Sequence, residues 1–142
     1  MMKTTFHPLL LAAVLLTAAG CQSPVTSGVS SRVVVSGDRV IDASLRIDHP
    51  GVARHVALAG AQTRLTSDGF LRVIAQLEST DHRDYAVQYK FRWFDEAGME
   101  VTYGGERPWQ QATIHGGETF PASAVSPIRD PSGFVIQLRP IR

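Results

Sequence analysis

The stretch Tyr85-Ala86-Val87-Gln88-Tyr89-Lys90-Phe91-Arg92-Trp93 decides the fold class of this chain. Tyr85, Val87, Tyr89, Phe91 and Trp93 take every second position, and Ala86, Gln88, Lys90 and Arg92 fill the gaps. Successive side chains of a strand point to opposite faces, so a period of two marks a strand with one buried side. The buried side is aromatic and thick, so it needs a second apolar layer opposite. Trp93 is the residue predicted to pack deepest against that layer.

The neighbouring segments follow the same period. Asp95-Glu96-Ala97-Gly98 reads as a turn, with Gly98 suited to positive φ. Met99 to Tyr103 is expected to return antiparallel. Upstream, Leu71, Val73, Ala75 and Leu77 share one face, and Ser79 to Asp84 is a polar connection. Ile41, Ala43, Leu45 and Ile47 alternate in the same way, before a turn at His49-Pro50-Gly51. Val52 to Leu58 is less regular, either a strand or a connection, and Ala59 to Thr63 is ambiguous. Further strands are expected over 109–114, 119–125 and 134–138, separated by Gly116-Gly117 and Asp130-Pro131-Ser132-Gly133. No long helical stripe follows residue 20. The reading is all-β: an immunoglobulin-like antiparallel β-sandwich of about seven to eight strands.

The N-terminus carries a different signal. Lys3 precedes an apolar run from Leu9 to Leu16, then Ala18, Ala19 and Gly20 lead into Cys21, the single cysteine. The run is short of the roughly 20 residues of a membrane span but suits a secretory signal. The small residues before Cys21 make it a lipoprotein signal, with Ala18 where such signals usually have Leu. Residues 1–20 are expected to be removed, and Cys21 to carry diacylglyceryl and acyl chains such as palmitate. Two or three chains hold a protein stably where one is marginal. An ordinary secretory signal would instead leave a lone thiol, an odd outcome in an oxidising compartment. Residues 21–31, small and polar after the cysteine, form the lipidated tether, and 32–142 form the domain. Gln22, rather than Asp, follows the cysteine, which favours the outer membrane facing the periplasm over the inner membrane.

The chain has 14 basic and 13 acidic residues, and loss of Lys3 balances them. A neutral domain gives no electrostatic case for nucleic acid. Lys90 is then the only lysine, and the other cations are arginine. Without a second cysteine, stability must come from the core.

The second half resembles the YcfL family of small bacterial lipoproteins. The resemblance rests on Gln76-Leu77, on Tyr85 to Asp95 followed by Gly98 and Val101, and on Arg107-Pro108-Trp109. Gly116, Glu118 and Ala124-Val125-Ser126-Pro127 extend it. It covers about residues 70–142 and the lipobox. It implies an immunoglobulin-like sandwich in the periplasm and carries over no reaction.

His49, His55, His82 and His115 form no paired metal motif, and exposed turn histidines are the simpler reading. No metal and no cofactor are expected beyond the covalent lipid on Cys21. No Gly-x-Ser-x-Gly elbow is present, and Ser123, Ser126 and Ser132 sit beside strands or in a turn. Asp95-Glu96 reads as solvated turn acids, because adjacent carboxylates on a turn point apart. Gly104-Gly105 and Gly116-Gly117 lack the phosphate-loop pattern.

Arg107-Pro108-Trp109 stands out. Proline fixes an extended approach, and Trp and Arg are favoured at contact hot spots. Trp109 also opens an apolar-periodic segment, so a core position at the end of the sandwich weighs more than a surface one. Tyr103, Arg107 and Trp109 are the expected contact residues if a surface patch exists. The leading expectation is a non-catalytic binding or scaffolding module that contacts an envelope protein. A small-ligand or glycan-binding lipoprotein comes second and an enzyme third.

Overall fold

A computed structural model describes residues 29–33, 35–39, 41–102, 104–105 and 107–141. Strands dominate. They are β1 (Val29–Val33), β2 (Val35–Gly37), β3 (Asp42–Ile47), β4 (Val56–Leu65), β5 (Leu71–Ser79), β6 (Tyr85–Phe94), β7 (Gln110–Ile114), β8 (Thr119–Val125) and β9 (Gly133–Pro140). One short helix, α1 (Pro50–Ala53), precedes β4. Two sheets form the predicted sandwich. One has five strands in the order β1-β3-β9-β6-β7, the other four in the order β2-β4-β5-β8. Most pairs are antiparallel, but β3 runs parallel to β9 and β2 parallel to β4.

The core lies between the sheets and is the one the alternation marks. From the five-stranded sheet come Leu45 and Ile47, Val87 to Trp93 in alternation, and Phe134, Ile136 and Leu138. From the four-stranded sheet come Leu71, Val73, Ala75 and Leu77, all fully buried. Phe91, Trp93 and Phe134 meet with ring centroids 5.6–6.1 Å apart. Trp93 is 1% exposed, and its Nε1 has no hydrogen-bond partner among the described residues. Such a buried donor costs about 1–3 kcal/mol, which the aromatic packing must offset.

The irregular segment has a physical explanation. Between Leu58 and Gly60 the register of β4 against β5 shifts by a bulge. Val56 and Leu58 face inward before it, and Ala61 and Thr63 after it. One extra residue reverses the phase of a period-two pattern, so the single long strand β4 reads as two weaker pieces. Upstream, His49 Nδ1 accepts the backbone N–H of Gly51 and caps α1, with Pro50 in its first turn.

Two boundaries differ from the sequence reading. Strand pairing begins at Val29, inside the segment assigned to the tether. The ladder is made by main chain, from Val29 opposite Ile47 to Val33 opposite Ala43, so it needs no apolar alternation in the sequence. Among the described residues, the return expected over Met99 to Tyr103 is a single bridge, Phe94 to Glu100, made by the Asp95 N–H to the Met99 carbonyl and the Val101 N–H to the Trp93 carbonyl; Tyr103 lies outside the described residues. The edge beyond is taken instead by β7, which pairs with β6 from Tyr85 to Tyr89. Gly98 does take positive φ, 75°, in the turn.

Candidate functional site

Alternation that buries Tyr89, Phe91 and Trp93 forces Gln88, Lys90 and Arg92 onto the outer face of the five-stranded sheet. Register then sets their neighbours. Lys90 lies opposite Gln137 and Gln88 opposite Arg139 on β9, and Gln137 lies opposite Arg46 on β3. Gln88 is also opposite Gln111 on β7. Two rows of amides and cations result, Arg46-Gln137-Lys90 and Arg139-Gln88-Gln111, each crossing three strands.

Trp109 sits at the entry to β7 and lies on this face. Its ring centroid is 3.9 Å from the Arg139 guanidinium carbon and 4.8 Å from Lys90 Nζ. Trp109 is half-buried and absent from the core. The core position favoured from sequence is thus corrected. Pro108 carries the chain extended into β7, and Gln110 opposite Tyr89 fixes the phase, so the residue before it faces outward with Gln111. The apolar period there is set by Ala112 and Ile114, the first packed against the core and the second within it.

Among the described residues, this face carries Arg46, Lys90, Arg92, Arg107 and Arg139 together with the carboxylates Asp42, Asp48 and Glu100. Arg92 grips Glu100 with two bonds, Nε to Oε1 at 2.8 Å and Nη2 to Oε2 at 2.5 Å. This holds the Glu100 carboxyl below its usual range, with a further contribution from the charge of Lys90. Arg46 is 3.3 Å from Asp48, whose other oxygen accepts from Gln137 at 2.6 Å. Arg139 Nε donates to Gln88 at 2.9 Å. Arg107 is exposed. Two grooves flank the Trp109 stack. One, of about 440 Å³, runs along Arg92, Glu100, Thr102 and Arg107. The other, of about 590 Å³, runs along Asp48, Gln88, Gln111 and Arg139.

A second constellation lies at the end of the sandwich where β5 turns into β6. His55 Nδ1 is 2.9 Å from Asp81 Oδ2, and Tyr85 donates its hydroxyl to the same oxygen at 2.7 Å. The His55 and Tyr85 rings stack at 5.7 Å. Ser79 Oγ is 3.3 Å from Asp81 Oδ1 and 3.1 Å from the Arg83 carbonyl. Nearby, His115 Nδ1 is 3.0 Å from Asp84 Oδ2, while Gly116 N–H donates to Asp84 Oδ1 at 3.0 Å. Both carboxyls are held below their usual range, Asp81 chiefly by the Arg83 N–H and Asp84 chiefly by the Gly116 N–H. Burial, followed by its bond to Asp81, raises the Tyr85 phenol.

Residues 43–140 match the family described as "Protein of unknown function (DUF1425)". The chain belongs to the DUF1425 family. The crystal structure of a DUF1425 family member from Shewanella sp. pv-4 is similar, with 25% identity and a TM-score of 0.52, covering 83% of this chain and 93% of that one. The crystal structure of Campylobacter jejuni cj0090 shares the fold, with 20% identity and a TM-score of 0.50 over 59% of this chain and 85% of that one. No curated protein matches the chain.

In this DUF1425 domain, the expected contact residues are only partly brought together. Arg107 lines the first groove, while Trp109 stacks with Lys90, which lines that groove, and with Arg139, which lines the other. Tyr103 and Cys21 lie outside the described residues. Sequence reasoning missed Arg139 and Lys90 as partners of Trp109, and the alternation around Lys90 was the one signal that placed a cation on the outer face. The His55 cluster does not have the order of a serine relay. There the base must touch the nucleophile, whereas Asp81 stands between His55 and Ser79, and Ser79 is buried at 4% exposure. Among the described residues, no three His, Cys, Asp or Glu stand where they could hold one metal ion.

Proposed function

We propose that this DUF1425 protein is a lipid-anchored, non-catalytic module of the bacterial cell envelope. Cys21 holds it at the outer membrane, facing the periplasm, and it contacts an envelope protein through the outer face of the five-stranded sheet. The lipobox-like segment and the YcfL resemblance support the setting. The observation that carries the contact face is the stack of Arg139 and Lys90 on Trp109, flanked by two grooves. A half-buried Trp beside oriented arginines is the composition that dominates protein contacts. A glycan would need an open ring face to stack on, and here Arg139 already engages the ring at 3.9 Å, so protein contact is preferred.

Affinity capture from solubilised envelopes tests this reading, with Cys21→Ser and Trp109→Ala variants in parallel. Cys21→Ser should move the protein from the membrane to the soluble fraction. Trp109→Ala should leave it in the membrane and lose its captured partner. Membrane retention of Cys21→Ser, or undiminished capture by Trp109→Ala, would count against the anchor and the face respectively.

A further inference from the structure

The outer face of the four-stranded sheet carries a feature that the contact surface above does not use. Arg64 on β4 and Arg72 on β5 stand directly opposite each other in the antiparallel ladder. Leu71 and Val73 are buried on either side of Arg72, so alternation turns both arginines outward, and both are exposed. Among the described residues, neither guanidinium has a hydrogen bond, an ion pair or a ring contact. Directly opposed side chains have Cβ atoms about 5 Å apart, and like charges at that spacing repel. An anion shared between them removes the repulsion. We infer that Arg64 and Arg72 bind the phosphate of a phosphate monoester whose organic part carries hydroxyls.

The surrounding charges leave the pair available. A hollow of about 210 Å³ is lined by Arg64, Leu65, Thr66, Ser67 and Arg72, with no carboxylate among them. Thr66 Oγ1 is occupied by the main chain of Phe70, while the exposed Ser67 makes no side-chain hydrogen bond among the described residues. Asp68 is exposed in the turn after β4 and forms no ion pair with either arginine. The other cations at this end are engaged, Arg39 with Asp130 at 2.7 Å and Arg129 over the Phe70 ring.

The donor set favours phosphate over carboxylate. Each guanidinium offers a planar fork that pairs bidentately with an oxyanion. One carboxylate is satisfied by one fork. A phosphate monoester carries nearly two charges and three terminal oxygens near neutral pH, which suits two forks and a hydroxyl.

The organic part of the ligand has a place on the other side of the pair. There a second hollow, of about 320 Å³, is lined by the same two arginines with Asp38, Gln62, Thr63 and Ile74. Ile74 is 37% exposed and offers an apolar floor. Asp38 Oδ2 accepts the Leu65 N–H at 2.8 Å, which fixes a carboxylate that can accept a ligand hydroxyl and repels a second phosphate. Gln62 can donate or accept.

The test uses the full-length protein in neutral detergent, with proton–nitrogen NMR of the arginine side chains. Glycerol phosphate is the probe, and sodium acetate at matched ionic strength is the carboxylate control. Two arginine signals should shift saturably with glycerol phosphate at low salt, with half-saturation near about 1 mM. Arg64→Gln or Arg72→Gln should each weaken binding by about tenfold or more. Arg54→Gln, an exposed arginine before the far end of β4, should weaken it by less than about twofold. Without ligand, Arg72→Gln should unfold at or above the parent's midpoint, because it relieves the repulsion. A second arm compares vesicles of phosphatidic acid with vesicles of phosphatidylcholine. Binding of glycerol phosphate assigns the site to a soluble ester, and binding of phosphatidic acid alone, dependent on Arg64 and Arg72, assigns it to a lipid headgroup phosphate. Absence of a saturable response in both arms, acetate binding as tight as glycerol phosphate, or binding indifferent to Arg64 and Arg72 overturns the inference. So does an Arg72→Gln midpoint well below the parent's, which would mean that Arg72 has a structural partner. The contact face around Trp109 lies on the other sheet, and its own test is independent of these outcomes.

Discussion

Arg139 lies over the Trp109 ring, its guanidinium carbon 3.9 Å from the ring centroid. The contact joins β9 to the entry of β7 across β6, on the outside of the sandwich. It places the second tryptophan of the chain in a different energetic class from the first.

Replacing the two tryptophans should separate those classes. Trp93→Ala removes a ring buried among Phe91 and Phe134 and should cost about 3–5 kcal/mol. Trp109→Ala loses two partly exposed cation–π contacts, worth about 1–2 kcal/mol together. Urea unfolding midpoints measure both. Equal losses would mean that Trp109 belongs to the core after all.

Trp93→Phe provides a finer test of the unpartnered indole. It leaves a cavity of roughly one small ring, which costs about 1 kcal/mol, but also removes a buried donor whose burial costs about 1–3 kcal/mol. The net change should lie between about zero and about 2 kcal/mol of stabilisation. A loss approaching that of Trp93→Ala would show that Nε1 has a partner, such as a buried water.

Gly116 is fixed by close approach. A Cβ there would lie 2.2 Å from the His82 carbonyl carbon and 2.7 Å from the Arg83 nitrogen. Gly116→Ala should therefore push the Ser79–Asp84 connection away and cost about 1–3 kcal/mol. Gly60→Ala, where nothing lies within 4 Å of the added Cβ, should change stability by less than about 0.5 kcal/mol. Thermal unfolding of both variants checks the contrast.

Acid should destabilise the fold. Asp81, Asp84 and Glu100 are all held below their ordinary values, by the Arg83 N–H, the Gly116 N–H and the Arg92 guanidinium respectively. The unfolded chain takes up protons first, at its ordinary values of about 4. Stability from these groups is present above that pH and lost as the pH falls through their lowered folded values. Unfolding midpoints should fall steadily below about pH 4, and less steeply in Glu100→Gln, which has one such group fewer. A midpoint independent of pH in that range would contradict these assignments.

Much of the fold was legible because its strands bury one face, so that β3, β5, β6 and β9 announce themselves by alternation. The bulge at Ala59 hid β4, because a phase reversal inside one strand cancels its own periodic signal. The parallel pairing of β3 with β9 joins residues from opposite ends of the domain, and no local pattern encodes it. For the same reason the site was half legible. Arg107 and Trp109 stood out by residue type, but Arg139 and Lys90 reach them only through sheet register. Trp109 read as core because hydrophobic periodicity reports which residues alternate, and not which face a flanking ring will cover. The tether boundary moved because main-chain pairing with β3 does not require apolar side chains.

The central claim is that the outer face of the five-stranded sheet is where this protein meets its partner. Site-specific photo-crosslinking in living cells tests it most directly. A photoreactive residue would replace Arg107 or Gln111 on that face, and Gln62 or Ser123 on the opposite one, all four exposed in the free domain. Discrete adducts of defined mass are expected from 107 and 111, and none from 62 and 123. Adducts from 62 and 123 alone, or equally from all four positions, would contradict it.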